Sequence, residues 1–471
     1  MNKIKKLLPV LMVFPFIIGA IGYYCGGEAI TDSLYASFAL YFINPVSDVY
    51  NVFVDLARWM AALVTTTAIL YVLRNSFNRI FVLAKGFRKD SVAIYADNDK
   101  KIQFDKKVPV IYAGKEFVKT AKSHIIMFDS DAESMQFYDR NREILHNKNV
   151  FIAVKEIDVF AANTSMGLEK NVQFFDISEA TARHLWKTIA LWDKSPEGEV
   201  NITIVGTGHL GQDILSRGLL VNLYSKTQQI NYHIIGENDY YLREHEDLKL
   251  FNKDSIDYYE KNSDESWKVI CNSNILICAD DISVNELLMY ENICKKAVGI
   301  YYYLQNKKDL KHYTNINKGI AFGDEEALYT DANIRRLELV RSAINQNYSY
   351  VKSLNNADIS TDKDENSAAW KEWSKLDGFY KWSNISSSDY CEVLKKLKDN
   401  RTLNATPTEL ESVERELAEL EHIRWCRFHY INHWKYGKTK NVKEKTHHCL
   451  VDFNYLSKED KMKDIDIIRN I

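Results

Sequence analysis

Neither sign of charge dominates this chain. Its 471 residues hold 61 Lys and Arg against 64 Asp and Glu, a formal net charge of −3. This near-balance excludes a global polyanion-binding surface, and interspersed signs suit solvated faces. Cysteine pairing is lacking as well. Cys25, Cys271, Cys278, Cys294, Cys391, Cys426 and Cys449 are scattered and odd in number, with no CxxC pair and no Cys/His cluster at zinc spacing. They read as free thiols of a reducing cytoplasm, with no metal site expected. A mean hydropathy of −0.32 excludes a polytopic membrane protein and confines any membrane part to a small share of the chain. At roughly 100–200 residues per domain, the length predicts three or four domains.

Two apolar runs stand out near the N-terminus. Leu7 to Cys25 carries no charge, and a membrane span needs ~20 apolar residues. A second run extends from Val52 to Leu73 and is uncharged from Trp59 onward. A secretory signal is the rival reading of the first run, and the basic start at Lys3, Lys5 and Lys6 suits it. Tyr23-Tyr24 makes a poor small-residue cleavage site, however, and the second run would stay unexplained. Two spans fit better. Lys3, Lys5 and Lys6 precede the first span; Arg74, Arg79, Lys85, Arg88 and Lys89 follow the second; no Lys or Arg lies between Gly26 and Ala57. Positive flanks stay inside. Both termini are therefore expected in the cytoplasm, with the acidic loop outside the cell membrane.

That loop, "TDSLYASFALYFINPVSD", offers Thr31 as a helix N-cap and Asp32 in a first turn, then mostly apolar residues up to Asn44-Pro45. A helix of that length is too short to span and suits a re-entrant segment. Span, short helix, irregular turn and span is the layout of a two-span cation channel, with Asn44, Ser47 and Asp48 as the expected pore residues. A potassium filter would carry a TVGYG-like run. "YFINPVSD" holds no glycine, so potassium selectivity is not supported. The simpler alternative is a membrane anchor with an interfacial outer helix.

Beyond residue 90 apolar strand-like runs alternate with helical stretches, which implies parallel sheets with crossovers. Strands are predicted at Ser91–Tyr95, Val108–Ile111, Ile125–Phe128, Val150–Val154 and Val172–Phe175, with helices at Lys115–Lys122, Ala132–Leu145 and Ser178–Leu191. "AIYADNDKK" stands where a glycine loop would be, so this first unit reads as a ligand-poor copy. A second unit restarts at Val200, with strands predicted at Ile202–Val205, Ile230–Ile235, Ile275–Ala279 and Gly299–Tyr303. In it "NITIVGTGHLGQDILSRGLL" places Gly206, Gly208 and Gly211 between a strand and a helix, the context a dinucleotide loop requires. Glu237 follows the next strand, where a ribose acid belongs, and Asp280 ends the third near the presumed cleft. These residues predict a nucleotide or dinucleotide ligand; the alternative is a glycine-rich turn kept for packing. No substrate domain with a proton donor is recognisable, so no catalytic residue is assigned and the chain is not expected to be an enzyme. A nicotinamide-dependent reductase is the weaker reading.

Tandem Rossmann-like units behind a two-span hairpin, with "ITIVGTGHLGQDIL" as the strongest stretch, resemble the RCK family, regulators of potassium conductance, fused to a channel. The resemblance implies a ring of such units under a pore, whose ligand-driven expansion pulls the inner helices. It carries the phosphate loop onto Gly206, Gly208 and Gly211 and the ribose acid onto Glu237. The missing filter and the glycine-less first unit depart from the pattern.

After the polar linker "NNADISTDKDENS" the aromatic density rises. "LAELEHIRW", "WKYG", "K..HHCLVDF" and "YLSKEDKMKD" resemble the RyR domain, the repeat named from ryanodine receptors. His422, Arg424, Trp425, Trp434, Tyr436, Lys445 and His447 combine cations with π-faces, a chemistry that suits a phosphorylated aromatic ligand. For each residue the alternative is core packing, with Arg424 paired to Glu421. A nucleic-acid partner is not expected, because acids dilute the basic residues. The expected organisation is a two-span hairpin over residues 1–90, Rossmann-like α/β domains over 91–195 and 196–355, and a small mainly α domain over 365–471. The expected function is a ligand-gated cation channel or channel-like effector, assembled as a tetramer because a two-span subunit cannot enclose a pore alone. The rival from another class is a pore-less, membrane-anchored regulatory subunit.

Overall fold

A computed structural model describes residues 2–44, 46–97, 102–155, 162–163, 171–313, 316–355, 365–403 and 406–471. The chain divides into two compact units, residues 1–91 with 118–121, and residues 92–117 with 122–471.

In the first unit, α1 (Asn2–Cys25), α2 (Ile30–Ala39) and α3 (Val52–Gly86) enclose a small core of Tyr23, Ala36, Leu40, Val54, Ala57 and Ala61. Glycines let α1 and α3 approach: a Cβ on Gly22 would lie 2.9 Å from Val54 Cγ2, and one on Gly19 would lie 3.3 Å from Ala57 Cβ. Asn51 caps α3 by accepting from Val54 N–H, and its amide donates to the Gly22 carbonyl at 2.7 Å. The short helix begins one residue before the expected cap. Ala29 holds the N-cap position with no side-chain bond, and Asp32 lies in the first turn as expected. Of the expected pore residues, Asn44 and Asp48 are exposed, and the Ser47 hydroxyl donates to Glu28 at 2.8 Å. Pro45 lies outside the described residues. Among the described residues one stretch, Val52–Leu70, is long and apolar enough to cross a membrane; α1 contributes a shorter apolar stretch, Val13–Cys25.

The second unit holds two parallel sheets. In the first, β1 (Val92–Tyr95), β2 (Val110–Tyr112), β3 (Ser123–Ile126), β4 (Asn149–Ala153) and β5 (Val172–Phe175) run in the order β2-β1-β3-β4-β5. In the second, β6 (Glu199–Val205), β7 (Gln229–Gly236), β8 (Ser255–Glu260), β9 (Ile275–Cys278), β10 (Gly299–Tyr303) and β11 (Gly319–Phe322) run β11-β10-β9-β6-β7-β8. Counted from β8 inward, that is the 3-2-1-4-5-6 order of doubly wound dinucleotide-binding sheets. The first sheet repeats it without a counterpart of β8. All nine predicted strands are present to within a few residues. β8 and β11 were not expected, because "SIDYYE" carries acids at two of its six positions and "GIAF" is short. The helix predicted at Lys115–Lys122 is absent: Gly114 takes φ +56 and turns follow.

Helices α4 (Asp131–Leu145), α5 (Ile177–Ile189), α6 (His209–Val221), α7 (Asp264–Asn272) and α8 (Val284–Ile293) accompany the sheets. Then come α9 (Leu337–Asn355), α10 (Glu365–Lys375), α11 (Gly378–Thr402), α12 (Pro407–Ile431), the two-residue strands β12 (Lys435–Tyr436) and β13 (Thr446–His447), and α13 (Lys458–Arg469). A capping box between Thr406 and Glu409, with Pro407 in the first turn, starts α12.

One hydrophobic core runs from Leu185 and Trp186 of α5, through Ile202, Ile204 and Leu219, to Tyr390 and Leu394 of α11 and Leu417 and Leu420 of α12. The C-terminal helices thus share their interior with the second sheet. Trp186 pins α5 to α6, its indole N–H donating to the Ile214 carbonyl at 2.8 Å. A Cβ on Gly218 would lie 2.7 Å from the Trp186 ring. That ring is held by its hydrogen bond and is only 1% exposed, so it cannot yield. Gly218→Val is therefore expected to cost about 1–3 kcal/mol by overpacking, read as a lower denaturant midpoint, whereas Gly198→Ala, with open space at its Cβ, marks the smaller cost of its positive φ alone.

Candidate functional site

The strand–loop–helix around the glycines forms as the sequence predicts. β6 ends at Val205, Gly206 takes φ +124, and α6 begins at His209 with Gly208 in the N-cap position. Two of the glycines serve close packing. A Cβ on Gly206 would lie 2.6 Å from Asp280 Oδ1, and one on Gly211 would lie 2.1 Å from the Gly206 carbonyl oxygen. Gly208 alone faces open space, with Asp280 Oδ1 at 3.6 Å. The Asp280 carboxylate lies over the turn where a phosphate would sit. Burial raises its pKa, with Asp281 and Glu237 adding to the rise and Lys261 opposing it. Glu237 follows β7 and is exposed.

The cavity beside these glycines measures about 20 Å³, lined by Thr207, Leu215, Tyr241 and Tyr258 among others. That is room for about one water. With a carboxylate over the turn and tyrosines in the cleft, the residues as arranged do not fit a bound dinucleotide. A larger cavity of about 680 Å³ lies at the ends of β10 and β11, but Asp281, Asp309, Asp324, Glu325 and Glu326 line it beside His312. Such a field repels a phosphate.

The expected ligand residues of the C-terminal domain separate into a buried and an exposed group. Arg424 is 1% exposed; its guanidinium donates twice to Glu421, at 2.8 and 2.7 Å, and once to Ser386 at 2.9 Å. His422 donates to the Val451 carbonyl at 2.9 Å and faces Asp464 at 3.3 Å. Trp434 is buried and stacks on Phe379 at 4.8 Å. Trp425 is half-buried, 3.9 Å from the His429 ring centroid and 5.0 Å from that of His447. Tyr436 and Lys445 lie exposed on the β12–β13 ribbon, where Lys445 donates to the Asn432 carbonyl at 3.3 Å. Arg424, His422 and Trp434 are thus engaged in the domain's own packing. His429 was not singled out by the sequence. It sits inside the aromatic group, and burial holds it neutral, its pKa well below the ordinary value.

Among the described residues two groups of side chains bring potential metal-ligand atoms within 4.8 Å of one another: Asp176, His209 and Asp213, and His447, His448 and Cys449. The first is closed by a 2.6 Å hydrogen bond between His209 and Asp176. Burial first, then Asp176, drives the Asp213 carboxyl up to about 7 against the pull of His209.

Arg427 is the functional side chain that sequence reasoning missed. It has no exposure, and it reaches from α12 into the second sheet's half of the core. Its guanidinium donates to the carbonyls of Leu250 and Leu219, both at 2.9 Å, to Asn252 Oδ1 at 2.7 Å and to Asp254 Oδ2 at 2.8 Å. Asp254 in turn accepts from Ile230 N–H at 2.8 Å. The sequence signal was "RWCRF": of two arginines three apart on one helix, nothing marks the second as the long-range one. Arg427→Ala would leave a buried, unpaired carboxylate. The expected cost is about 3–5 kcal/mol, seen as a lowered melting temperature and faster proteolysis of the C-terminal helices; Arg427→Ala with Asp254→Asn should recover part of it.

No curated protein and no solved structure matches the chain. A family model does: the RyR domain matches residues 401–471, from the end of α11 through α13. The matched segment, with α12, the β12–β13 ribbon and α13, is the part of the chain that is similar to the RyR domain.

Proposed function

We propose that the chain is a membrane effector controlled by a small ligand, and specifically a ligand-gated cation channel or channel-like protein. The observation that carries this reading is the Arg427 lock, which makes the second sheet and the RyR domain one body. Ligand binding to either is felt by both, and the same chain carries an apolar helix, Val52–Leu70, suited to a bilayer. In this reading α1 and α3 both cross the cell (inner) membrane, α2 is re-entrant, and the sheets and RyR domain are cytoplasmic. Four copies surround the pore, lined near Asn44, Ser47 and Asp48. The cytoplasmic units act as RCK-like regulators: a nucleotide-type signal favours the open arrangement, and equal affinity for both states would move nothing. An effector of this build suits stress or phage defence, where collapse of the membrane potential halts the cell; that last step is analogy of architecture.

A second reading is a pore-less regulatory subunit anchored beside a cation transporter. It is favoured by α3 alone being long and apolar enough to span among the described residues. A nicotinamide-dependent reductase draws little support from a glycine-loop cavity that admits about one water.

Single-channel recording of the purified protein in a planar bilayer separates the first two readings. Discrete conductance steps are expected; a silent bilayer with protein incorporated supports the anchor. Topology is checked separately, in a background with the exposed Cys25 and Cys271 replaced by serine. A cysteine at exposed Asp48 should react with an impermeant thiol reagent added outside the cell, and one at exposed Lys89 should not. The reverse pattern removes the channel topology.

A further inference from the structure

A cavity of about 150 Å³ lies where three helices meet: α5 from the first sheet's half, α6 from the second, and α11 from the C-terminal region. That is many times the ~10–15 Å³ a single water requires. Arg183 and Lys187 of α5, Arg217 of α6 and Lys396 of α11 line it, against only two carboxylates, Asp389 and Glu392 of α11. Trp186 and Trp192 supply an aromatic wall.

The charge behind this cavity does not balance. Asp389 Oδ2 is shared by Arg183, 3.2 Å away, and Arg217. Glu179 is shared by Arg183 at 2.8 Å, Arg336, and Arg217 at 3.9 Å. Three guanidinium groups thus meet two carboxylates, with no side chain of the five more than 15% exposed. Nε of Arg217 is buried without a hydrogen-bond partner, and Nε of Arg183 is not aligned with the nearby Asp389. A buried donor left unmade is costly, and Asp389 Oδ2 beside these donors likewise makes no hydrogen bond. The strain registers on Arg217, whose pKa burial and then the neighbouring Arg183 pull down to about 9.

We propose that this cavity is a binding site for a small phosphate-type anion. Paired guanidiniums match phosphate oxygens in geometry as well as charge. A bound phosphate would add negative charge where three guanidiniums share two carboxylates, and would hold three helices from three parts of the chain together. The cavity has the volume of a small anion, so a nucleotide could enter it only by its phosphate, with base and sugar outside. The site is separate from the glycine loop, which lies at the opposite end of α6, and it stands independently of whether the hairpin conducts ions.

The test is calorimetric titration of the full-length protein in detergent with inorganic pyrophosphate and, separately, with AMP. Saturable binding of one ion per chain is expected. Tighter binding of AMP assigns a nucleotide source; tighter pyrophosphate assigns an inorganic one. Lys396→Glu changes an exposed residue whose closest carboxylate, Asp193, is 3.9 Å away, so folding should be unaffected. It should weaken binding at least tenfold, or ~1.4 kcal/mol. Val393→Phe keeps every charge but fills the cavity, and should abolish binding in a protein that still melts cooperatively. Wild-type protein that binds neither probe, or both variants binding as tightly as wild type, overturns the proposal.

Discussion

The larger unit of this protein depends on a guanidinium that water never reaches. Arg427 spends its donors on two carbonyls, an amide oxygen and the Asp254 carboxylate, all contributed by the second sheet's half. Without it the Asp254 carboxylate would keep its hydrogen bonds from Ile230 and Gln228 but lose its buried countercharge. The contact therefore fixes position more than it adds net stability, as buried ion pairs generally do. Around it the alignment is repeated by weaker means: the Tyr390 hydroxyl donates to the Leu223 carbonyl, and Arg401 donates to that of Tyr224. The RyR domain has no freedom to swing on the sheet while these bonds hold.

A single hydrophobic interior follows from that constraint. α5 closes the first sheet's half but packs its Trp186 on α6 of the second, against Gly218. α11 precedes most of the RyR match yet contributes Tyr390, Val393 and Leu394 to the same core. Family boundary and packing boundary therefore differ. Residues 401–471 carry the family pattern, while the core that supports them reaches back to Ala182.

Periodic patterns made the sheets legible. Runs such as "ITIV" and "ILIC" are buried on both faces and read as continuous apolar stretches. The glycine loop was legible as a shape, because a turn at φ +124 and a close helix approach demand glycine. Its use was not legible, since Asp280 comes onto it from a strand some seventy residues later. The same limit governs the arginines. Arg424 pairs with Glu421 on its own helix turn, the local alternative weighed from sequence, whereas the partner of Arg427 is set by tertiary packing alone. The charge excess at Arg183, Arg217 and Arg336 is likewise invisible in one dimension. Each arginine stands beside acids in sequence, and only folding decides which acids they share.

Arg427 and Asp254 are 173 residues apart in the chain. At translation rates of ~5–20 residues per second, the ribosome needs roughly 9–35 s to reach Arg427 after Asp254. Within that interval the remaining strands of the second sheet, β8 to β11, are completed before its cation exists. Burying Asp254 then would strand a naked carboxylate, so this edge of the sheet stays open until α12 arrives. The sheet therefore cannot close over Asp254 until the helix that carries Arg427 has been made.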